Sequence, residues 1–315
     1  MKRRVISFMS LCSFLGINAS TFAFDASKIG GDIEVGFKVK DYEEGGASRN
    51  FREGNVSLTL KPNKNKGLAF RFGFADRVFN ESKNSSKNIK EQSREMSEFY
   101  VENLYTFGKL MFRPEIGLKY TDFHNDDMKL DSAKEYRFYP KFTYTFNRNW
   151  SLYSRGFIAY TELKDSYVSK NWATGQIISE SRYGYKHRLE GGARYTFNRR
   201  HALSVAFADD TSGVNKFDYD VDGSQIRFRY HYSPNRNLKF VPFFFKGIDG
   251  ERIATNGEKK QIQRDMLGVN THYNLTKTLQ LIAKINYEWR NDNTDNGEEG
   301  NKDHWFYSAG LKYSF

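Results

Sequence analysis

Lysine and arginine residues recur at alternate positions along many segments of this chain. The most crowded run contains Arg182, Lys186, Arg188 and Arg194, which share one parity. Successive side chains of a β-strand point to opposite faces, so these residues would line one face as a basic stripe. Guanidinium and ammonium groups bind carboxylates and other anions, and arginine can do so through two parallel hydrogen bonds. The residues that we expect on an anion-attracting wall are Arg71, Arg113, Lys119, Arg137, Lys141, Arg155, Arg182, Lys186, Arg188, Arg194, Arg227, Arg229, Lys284 and Arg290.

The elements that position these residues are predicted to be β-strands. At the end of the chain, Tyr307, Leu311 and Phe315 alternate with small or polar residues such as Lys312. This period of two, typical of strands, recurs in fourteen segments that are joined alternately by short polar turns and by long polar loops. The predicted strands are 32–41, 54–62, 67–78, 97–107, 110–121, 135–146, 150–161, 181–197, 202–209, 224–232, 238–248, 264–275, 279–290 and 304–315.

The second parity of these strands is apolar and nearly free of charge, with residues such as Phe37, Phe72 and Ile285. A lysine or arginine on a lipid-facing strand costs about 2–4 kcal/mol at the bilayer midplane, whereas a soluble sheet tolerates charge in either register. We therefore predict an all-β fold, a transmembrane antiparallel up-and-down β-barrel of about 14 strands. Short periplasmic turns, long extracellular loops and a place in the bacterial outer membrane follow from it. The ionisable exceptions in the apolar register are Asp76, His187, Lys246 and Asp265.

Composition fits this prediction and excludes other classes. The mean hydropathy is −0.74, yet 17% of the residues are aromatic, which argues against disorder. No apolar run after residue 23 approaches the length of about 18 residues that a transmembrane helix needs. The net charge of +11 does not indicate nucleic-acid binding, because the basic residues are distributed along strand faces that point inward.

The N-terminus has the pattern of a secretory signal peptide. Lys2, Arg3 and Arg4 precede an apolar run and a stretch of small residues, which predicts cleavage after Ala23. The barrel would then span residues 24–315. The only cysteine, Cys12, leaves with the signal peptide, so we expect no disulfide and no thiolate metal site. We also expect no metal and no cofactor.

Aromatic residues mark both predicted boundaries of the hydrocarbon layer, as expected of interfacial girdles. Three prolines fall inside predicted strands, where each removes a ladder hydrogen bond. We expect a bulge or a local strand break beside Pro114, Pro140 and Pro242. The predicted girdle residues are Phe107, Phe146, Trp150, Phe197, Tyr232, Tyr273 and Phe315 on the short-turn side and Tyr120, Tyr136, Tyr160, Tyr183, Trp289 and Trp305 on the other.

A fourteen-stranded barrel encloses a wider lumen than the side-chain-filled interior of an eight-stranded one. Basic residues far outnumber acidic ones on the inward parity, and such a wall concentrates ions of the opposite sign. We therefore predict a water-filled pore for passive diffusion of small hydrophilic solutes, with a preference for anions such as inorganic ions and acidic oligosaccharides. Alternatively, the inward charges form ion-pair ladders that only hold the lumen open. The carboxylates for such ladders are Glu34, Glu102, Glu115, Glu190 and Glu288.

Several short stretches resemble the outer-membrane porin G family and, more loosely, the oligogalacturonate-specific porins. The resemblance covers most of the chain after the signal peptide. It implies a monomeric, weakly selective channel for sugars and ions, gated by the loop after the predicted strand 238–248. The stretches that carry it are Tyr136 to Phe142 and on to Trp150, Arg194 to Asn198 and on to Leu203, Val241 to Phe243 before Gly247, and Tyr287 to Trp289 with Phe306 to Phe315.

The gating loop would be 249–263, and its lysines at 259 and 260, with Arg264 just after them, differ from an acid gate built on a histidine pair. Histidines on facing strands would be needed for such a gate. His231 and His272 lie at the short-turn ends of the predicted strands 224–232 and 264–275, which are not neighbours. A pH gate of that kind is therefore not expected.

Two other classes of function stay open. A hydrolase would use pairs such as Asp209 with Asp210 or Asp303 with His304, but adjacent strand residues point to opposite faces. His187 has no evident serine partner for phospholipase chemistry. A plugged, structural or adhesive barrel would need an acidic filler for its positive lumen. The expected partners are outer-membrane lipid and lipopolysaccharide, small anionic solutes, and the barrel-assembly machinery through Phe315.

Overall fold

The computed structural model describes residues 28–42, 49–64, 67–81, 92–124, 130–165, 181–214, 220–253, 259–294, 299–301 and 303–315. The predicted signal peptide and its cleavage site lie outside this part of the chain. Within it, no helix is long and apolar enough to cross a bilayer. The strands are β1 (Gly30–Tyr42), β2 (Arg49–Lys61), β3 (Ala69–Glu81), β4 (Gln92–Glu102), β5 (Tyr105–Phe107), β6 (Leu110–His124), β7 (Leu130–Thr145), β8 (Trp150–Asp165), β9 (Ser181–Thr196), β10 (His201–Val214), β11 (Asp220–Tyr232), β12 (Leu238–Ile253), β13 (Lys259–Asn274), β14 (Leu279–Thr294), β15 (Glu299–Asn301) and β16 (His304–Ser314).

These strands form one closed antiparallel barrel. The short β5 continues β4 beside β6, and the short β15 precedes β16 beside β14. The sixteen described strands therefore occupy fourteen positions around the barrel. β1 pairs with β16, β16 with β14, and β14 with β13, which closes the sheet. At the seam, the amide of Gly31 donates to the carbonyl of Phe315 at 3.1 Å, and the reverse bond is also present. The predicted fourteen-stranded barrel is confirmed.

The outer surface is apolar, as the sequence predicts. Ile33, Val35 and Phe37 are exposed along β1, and the same holds for alternate residues of the other strands. An exposed apolar band around a closed barrel is the architecture of an integral outer-membrane protein. Three of the four ionisable exceptions are paired on this surface: Lys246 contacts Asp265 at 2.6 Å, and His187 contacts Asp209 at 2.7 Å. The barrel is thus placed in the outer membrane with little uncompensated charge toward the lipid.

Aromatic side chains cluster at both ends of this band, which agrees with the predicted girdles. At the short-turn end, Trp150 packs against Tyr195 with ring centroids 4.7 Å apart, and Phe197 packs against Tyr195 at 4.8 Å. At the opposite end, Tyr287 lies 4.9 Å from both Trp289 and Trp305. Amphipathic rings of this kind are enriched at membrane–water interfaces.

The strands extend farther than predicted at the end that carries the long loops. The predicted loop 249–263 is mostly ladder, because β12 runs to Ile253 and β13 begins at Lys259, with Glu251 opposite Gln261. The prediction of a fifteen-residue gating loop was therefore wrong in its extent, and only residues 254–258 lie outside the described part. Above the hydrocarbon, both strand faces meet water, so pairing continues where the apolar alternation that marks a strand in the sequence has ended.

Each of the three prolines interrupts the ladder locally without shifting its register. Pro114 lies opposite the break between β4 and β5, where its carbonyl accepts from Asn103 at 3.2 Å. Between β7 and β8 the pairing stops around Pro140, whose carbonyl accepts from the Ser154 hydroxyl at 3.2 Å. The β11–β12 pairing likewise skips Pro242. The expected local breaks are confirmed, and they occur because proline has no N–H to donate.

Gly156 lies across from Pro140 in the gap between β7 and β8 and has a φ of +111°. A Cβ atom there would stand 1.9 Å from the carbonyl oxygen of Arg188. We predict that Gly156→Ala lowers the free energy of unfolding by about 1–3 kcal/mol, since it adds backbone strain and a backbone clash. Urea unfolding of the refolded protein in detergent or lipid measures this change.

Gly191→Ala is the matched control, because a Cβ at Gly191 meets nothing within 4 Å. This variant should stay within about 0.5 kcal/mol of the parent protein. Equal stability of the Gly156→Ala and Gly191→Ala variants would mean that a Cβ atom at Gly156 causes no strain and no clash.

Candidate functional site

The candidate site is the inner wall of the barrel. The described side chains of the predicted basic set lie on the parity opposite to the exposed apolar residues, so the predicted sorting of charge to the lumen agrees with the structure. Arg182 and Arg290 lie in β9 and β14, and their side chains are outside the described part. The basic residues do not act singly, because most of them converge on a few buried carboxylates.

The largest cluster surrounds Glu190 of β9, which is only 3% exposed. Arg155 of β8 contacts its carboxylate at 2.7 Å. Arg227 of β11 donates to it at 2.8 Å, and Arg229 of the same strand makes two bonds of 2.8 Å. Three guanidinium groups around one carboxylate leave an excess of positive charge on the wall. The basic stripe expected along β9 is therefore interrupted at Glu190, and the cations gather across neighbouring strands instead.

The intervening strand β10 makes this convergence possible. Its inward residues Ala202, Ser204, Ala206 and Ala208 are small and only 2–3% exposed. Neighbouring strands lie about 4.8 Å apart, so β9 and β11 are separated by roughly twice that distance. Arg229 can reach across to Glu190 only because the inward side chains of the strand between them are small. We call these four residues the β10 floor.

A second cluster joins β3, β4, β6 and β7. Glu115 is 2% exposed and forms ion pairs with Arg71 and Lys141. Lys141 also donates to Glu102 at 3.2 Å, and Arg113 stands 3.7 Å from the same carboxylate. Here too the cations outnumber the carboxylates that they contact.

Two further carboxylates repeat the arrangement. Glu53 binds Lys38 at 2.6 Å and Arg77 at 2.8 Å. Glu135 pairs with Arg137, and Lys186 stands 3.9 Å away. Together, the carboxylates of residues 53, 115, 135 and 190 contact nine cations, three at Glu190 and two at each of the others.

Several inward cations have no carboxylate partner. Among the residues that the structure describes, Lys119, Arg194, Lys239 and Lys284 make no ion pair within 4 Å and donate no hydrogen bond to a carboxylate. A wall that contained only balanced ladders would leave no such residues. Glu98 and Glu135 lie near Lys119, and Glu288 lies near Lys284, but none of these carboxylates is within ion-pair distance of the ammonium group.

Aromatic residues also face inward, which the sequence analysis missed. Arg137 donates to the hydroxyls of Tyr100 and Tyr139 at 3.2 Å and lies 4.5 Å from the ring centroid of Phe157. On the opposite side of the barrel, Phe243 and Phe245 pack with centroids 4.7 Å apart. The segment 240–245 is apolar on both parities, so alternation could not assign its faces. Its basic neighbours on adjacent strands were the available signal.

The residue pairs considered for hydrolysis do not assemble a catalytic site. Asp209 faces outward against His187, whereas Asp210 faces inward and binds Arg188 at 2.7 Å. Ser224 donates to Asp209 rather than to the imidazole. His304 stands 3.4 Å from Glu288. In the described part of the chain, no group of three or more His, Cys, Asp or Glu residues could hold a metal ion.

No family model and no curated protein sequence matches this chain. Solved structures match its fold. One is a mutant of the monoaromatic hydrocarbon channel TodX, with 10% identity, a TM-score of 0.54 and coverage of 95% of this chain and 93% of that one. Another is a FadL homologue of Pseudomonas aeruginosa, with 10% identity, a TM-score of 0.54 and coverage of 91% and 90%. The KdgM porin is also similar, at 9% identity, a TM-score of 0.40 and coverage of 90% and 99%. At such identities the likeness concerns the fold alone.

We predict that Glu190→Gln destabilises the barrel by about 2 kcal/mol, because the three guanidinium groups lose their counter-charge and repel one another. Urea unfolding in detergent or lipid tests this prediction. Glu95→Gln is the same chemical change on the exposed outer side of β4 and should cost less than about 0.5 kcal/mol. An unchanged stability of Glu190→Gln would mean that the arginines are solvated independently of Glu190.

Proposed function

We propose that this protein is a passive outer-membrane channel for small hydrophilic solutes with a preference for anions. The observation that carries the proposal is the set of inward cations without a carboxylate partner, Lys119, Arg194, Lys239 and Lys284, beside carboxylates that each contact more than one cation. Positive charge on a low-dielectric wall raises the local concentration of anions and lowers that of cations. Ion-pair ladders alone would not produce this imbalance.

The ion-pair clusters support a permanent opening rather than a chemical reaction. Bonded arginines and lysines line the wall as a fixed shell, and unpartnered ones extend the positive field toward both ends of the barrel. Diffusing anions would exchange between such sites, because each offers charge without a closed pocket. We accordingly propose that the protein is not an enzyme and that acidic oligosaccharides are among the solutes that fit.

A second candidate is uptake of hydrophobic compounds. TodX is a toluene transporter and a monoaromatic hydrocarbon channel, and this chain has inward aromatic rings of its own, such as Phe157 and Phe243. Both rings are buried, at 8% and 4% exposure, and cations lie over them. That covering favours charged solutes over hydrocarbons.

We also propose that the barrel is a monomer, which is consistent with a ladder that closes within one chain. Phe315 is exposed on the lipid side of the short-turn end, where it is available to the barrel-assembly machinery. The outer surface would contact lipid and lipopolysaccharide. Gating by loop 249–263 is implied by the family resemblance alone, and within that loop Glu251 to Ile253 pair with Lys259 to Gln261.

Single-channel recording of the refolded protein in a salt gradient tests the function. We expect open channels with an anion-directed reversal potential. Arg194→Gln combined with Lys119→Gln should lower the chloride-to-potassium permeability ratio about twofold, since two positive charges that form no ion pair leave the wall. Arg52→Gln, on the outer face of β2, is the matched control and should leave the ratio unchanged.

A cation-directed reversal potential would refute the anion preference. An absence of conductance would favour a plugged barrel. Uptake of toluene into proteoliposomes without ionic conductance would favour the hydrophobic alternative.

A further inference from the structure

A cavity of about 330 Å³ opens from the inner wall between β9 and β14, on the long-loop side of the Glu190 cluster. Its size is at the lower end of the range for small-molecule sites. Apolar side chains form one part of its lining, namely Phe245, Ile262 and Met266. Basic side chains form the other part. A pocket with these two parts matches a small molecule that is both apolar and anionic.

Lys284 supplies the charge that is available to a ligand. Its ammonium group lies 5.5 Å from the ring centroid of Phe243 and 5.0 Å from that of Phe306. Within the described residues it donates no hydrogen bond and forms no ion pair. An ammonium group held over rings, with its donors unused, gains most from a carboxylate that arrives from the lumen.

The other charges of the lining are already engaged. Arg227 donates to Glu190 and to Gln225, and Arg188 binds Asp210. These bonds hold the two guanidinium groups in place while the wall stays positive. Arg264 adds a fourth cation to the lining.

Three acidic residues of the lining limit where an anion can sit. Arg188 binds Asp210, Glu288 stands 3.4 Å from His304, and Asp249 is exposed on the loop side. A carboxylate would therefore approach Lys284 from the side of Arg227 rather than from the loops.

Phe245 supplies the apolar surface. Arg227 and Arg229 lie 4.9 Å and 4.7 Å from its ring centroid, and Phe243 packs beside it. Because the two guanidinium groups lie over this ring, a ligand ring would pack against its edge and against Met266. An uncharged sugar would leave this apolar surface unused, and a hydrocarbon would leave the Lys284 ammonium without a partner.

We infer that this cavity is a binding site for small aryl carboxylates, whose ring packs on Phe245 and Met266 and whose carboxylate binds Lys284. The inference deepens the proposed function, because it names a solute class for the anion-preferring channel. It differs from general anion attraction in requiring both the ring and the charge.

The test compares benzoate, acetate and benzyl alcohol on the refolded full-length mature barrel. Half-blocking concentrations come from single-channel recording, and dissociation constants come from titration of the protein in detergent micelles. Benzoate should bind about tenfold more tightly than acetate or benzyl alcohol, which corresponds to one charge-assisted contact added to ring packing.

Variants test whether benzoate binds in this cavity. Lys284→Gln should weaken benzoate binding about tenfold, and Phe245→Leu should weaken benzoate but leave acetate unchanged. Lys109→Gln makes the same chemical change in an exposed periplasmic turn and should have no effect on benzoate. Heat-modifiable electrophoretic mobility checks that each variant has folded, and the three-ligand comparison on the parent protein tests the inference without any variant.

Equal affinity for benzoate and acetate would overturn the inference while leaving an anion-selective channel intact. Equal affinity for benzoate and benzyl alcohol would also overturn it, in favour of a purely apolar site. Benzoate binding in micelles without channel conductance would support the site and refute the proposed function, so the two failures are distinguishable.

Discussion

Closure of the hydrogen-bond ladder is the constraint on which the rest of this structure depends. An unsatisfied backbone N–H or C=O in hydrocarbon costs several kcal/mol, so a membrane-embedded sheet cannot leave an open edge. Pairing of β1 with β16 removes that edge. The ladder contains only short gaps in its backbone hydrogen bonding. It is interrupted around each of the three prolines and resumes in the same register. Closure then assigns every side chain to lipid or to the lumen.

The lumen face gathers its charge into clusters because cations that are partly buried in the low-dielectric wall would otherwise repel one another. Buried carboxylates such as Glu115 and Glu190 act as the centres of these clusters, and guanidinium groups from two or three strands converge on each. The clusters make the wall rigid and leave it positive. Aromatic rings under the cations have a related effect, since a ring face attracts positive charge without neutralising it. The same residues therefore stabilise the barrel wall and would supply the anion preference that we propose.

The strand count, the two faces and the girdles were predictable because the bilayer imposes a period of two that is visible in one sequence. Three features were not. Contacts such as Arg229 with Glu190 join strands that are not adjacent, so no local spacing encodes them. The faces of β12 could not be assigned where residues of both parities are apolar, as at Phe243 and Phe244. The ladder also continues past Gly250 into water, where hydrophobic alternation no longer marks it.

The β10 floor has a consequence for how such a protein can change over evolutionary time. Its small residues determine the local width of the lumen. They also allow the guanidinium groups of Arg227 and Arg229 to contact Glu190. Any bulk added to this strand would narrow the passage and, in the same step, displace the guanidinium groups. In the anion-preferring channel that we propose, the size limit for solutes and the ionic discrimination would thus be genetically coupled. A lineage under pressure to exclude larger toxic molecules would then alter its ionic permeability as well.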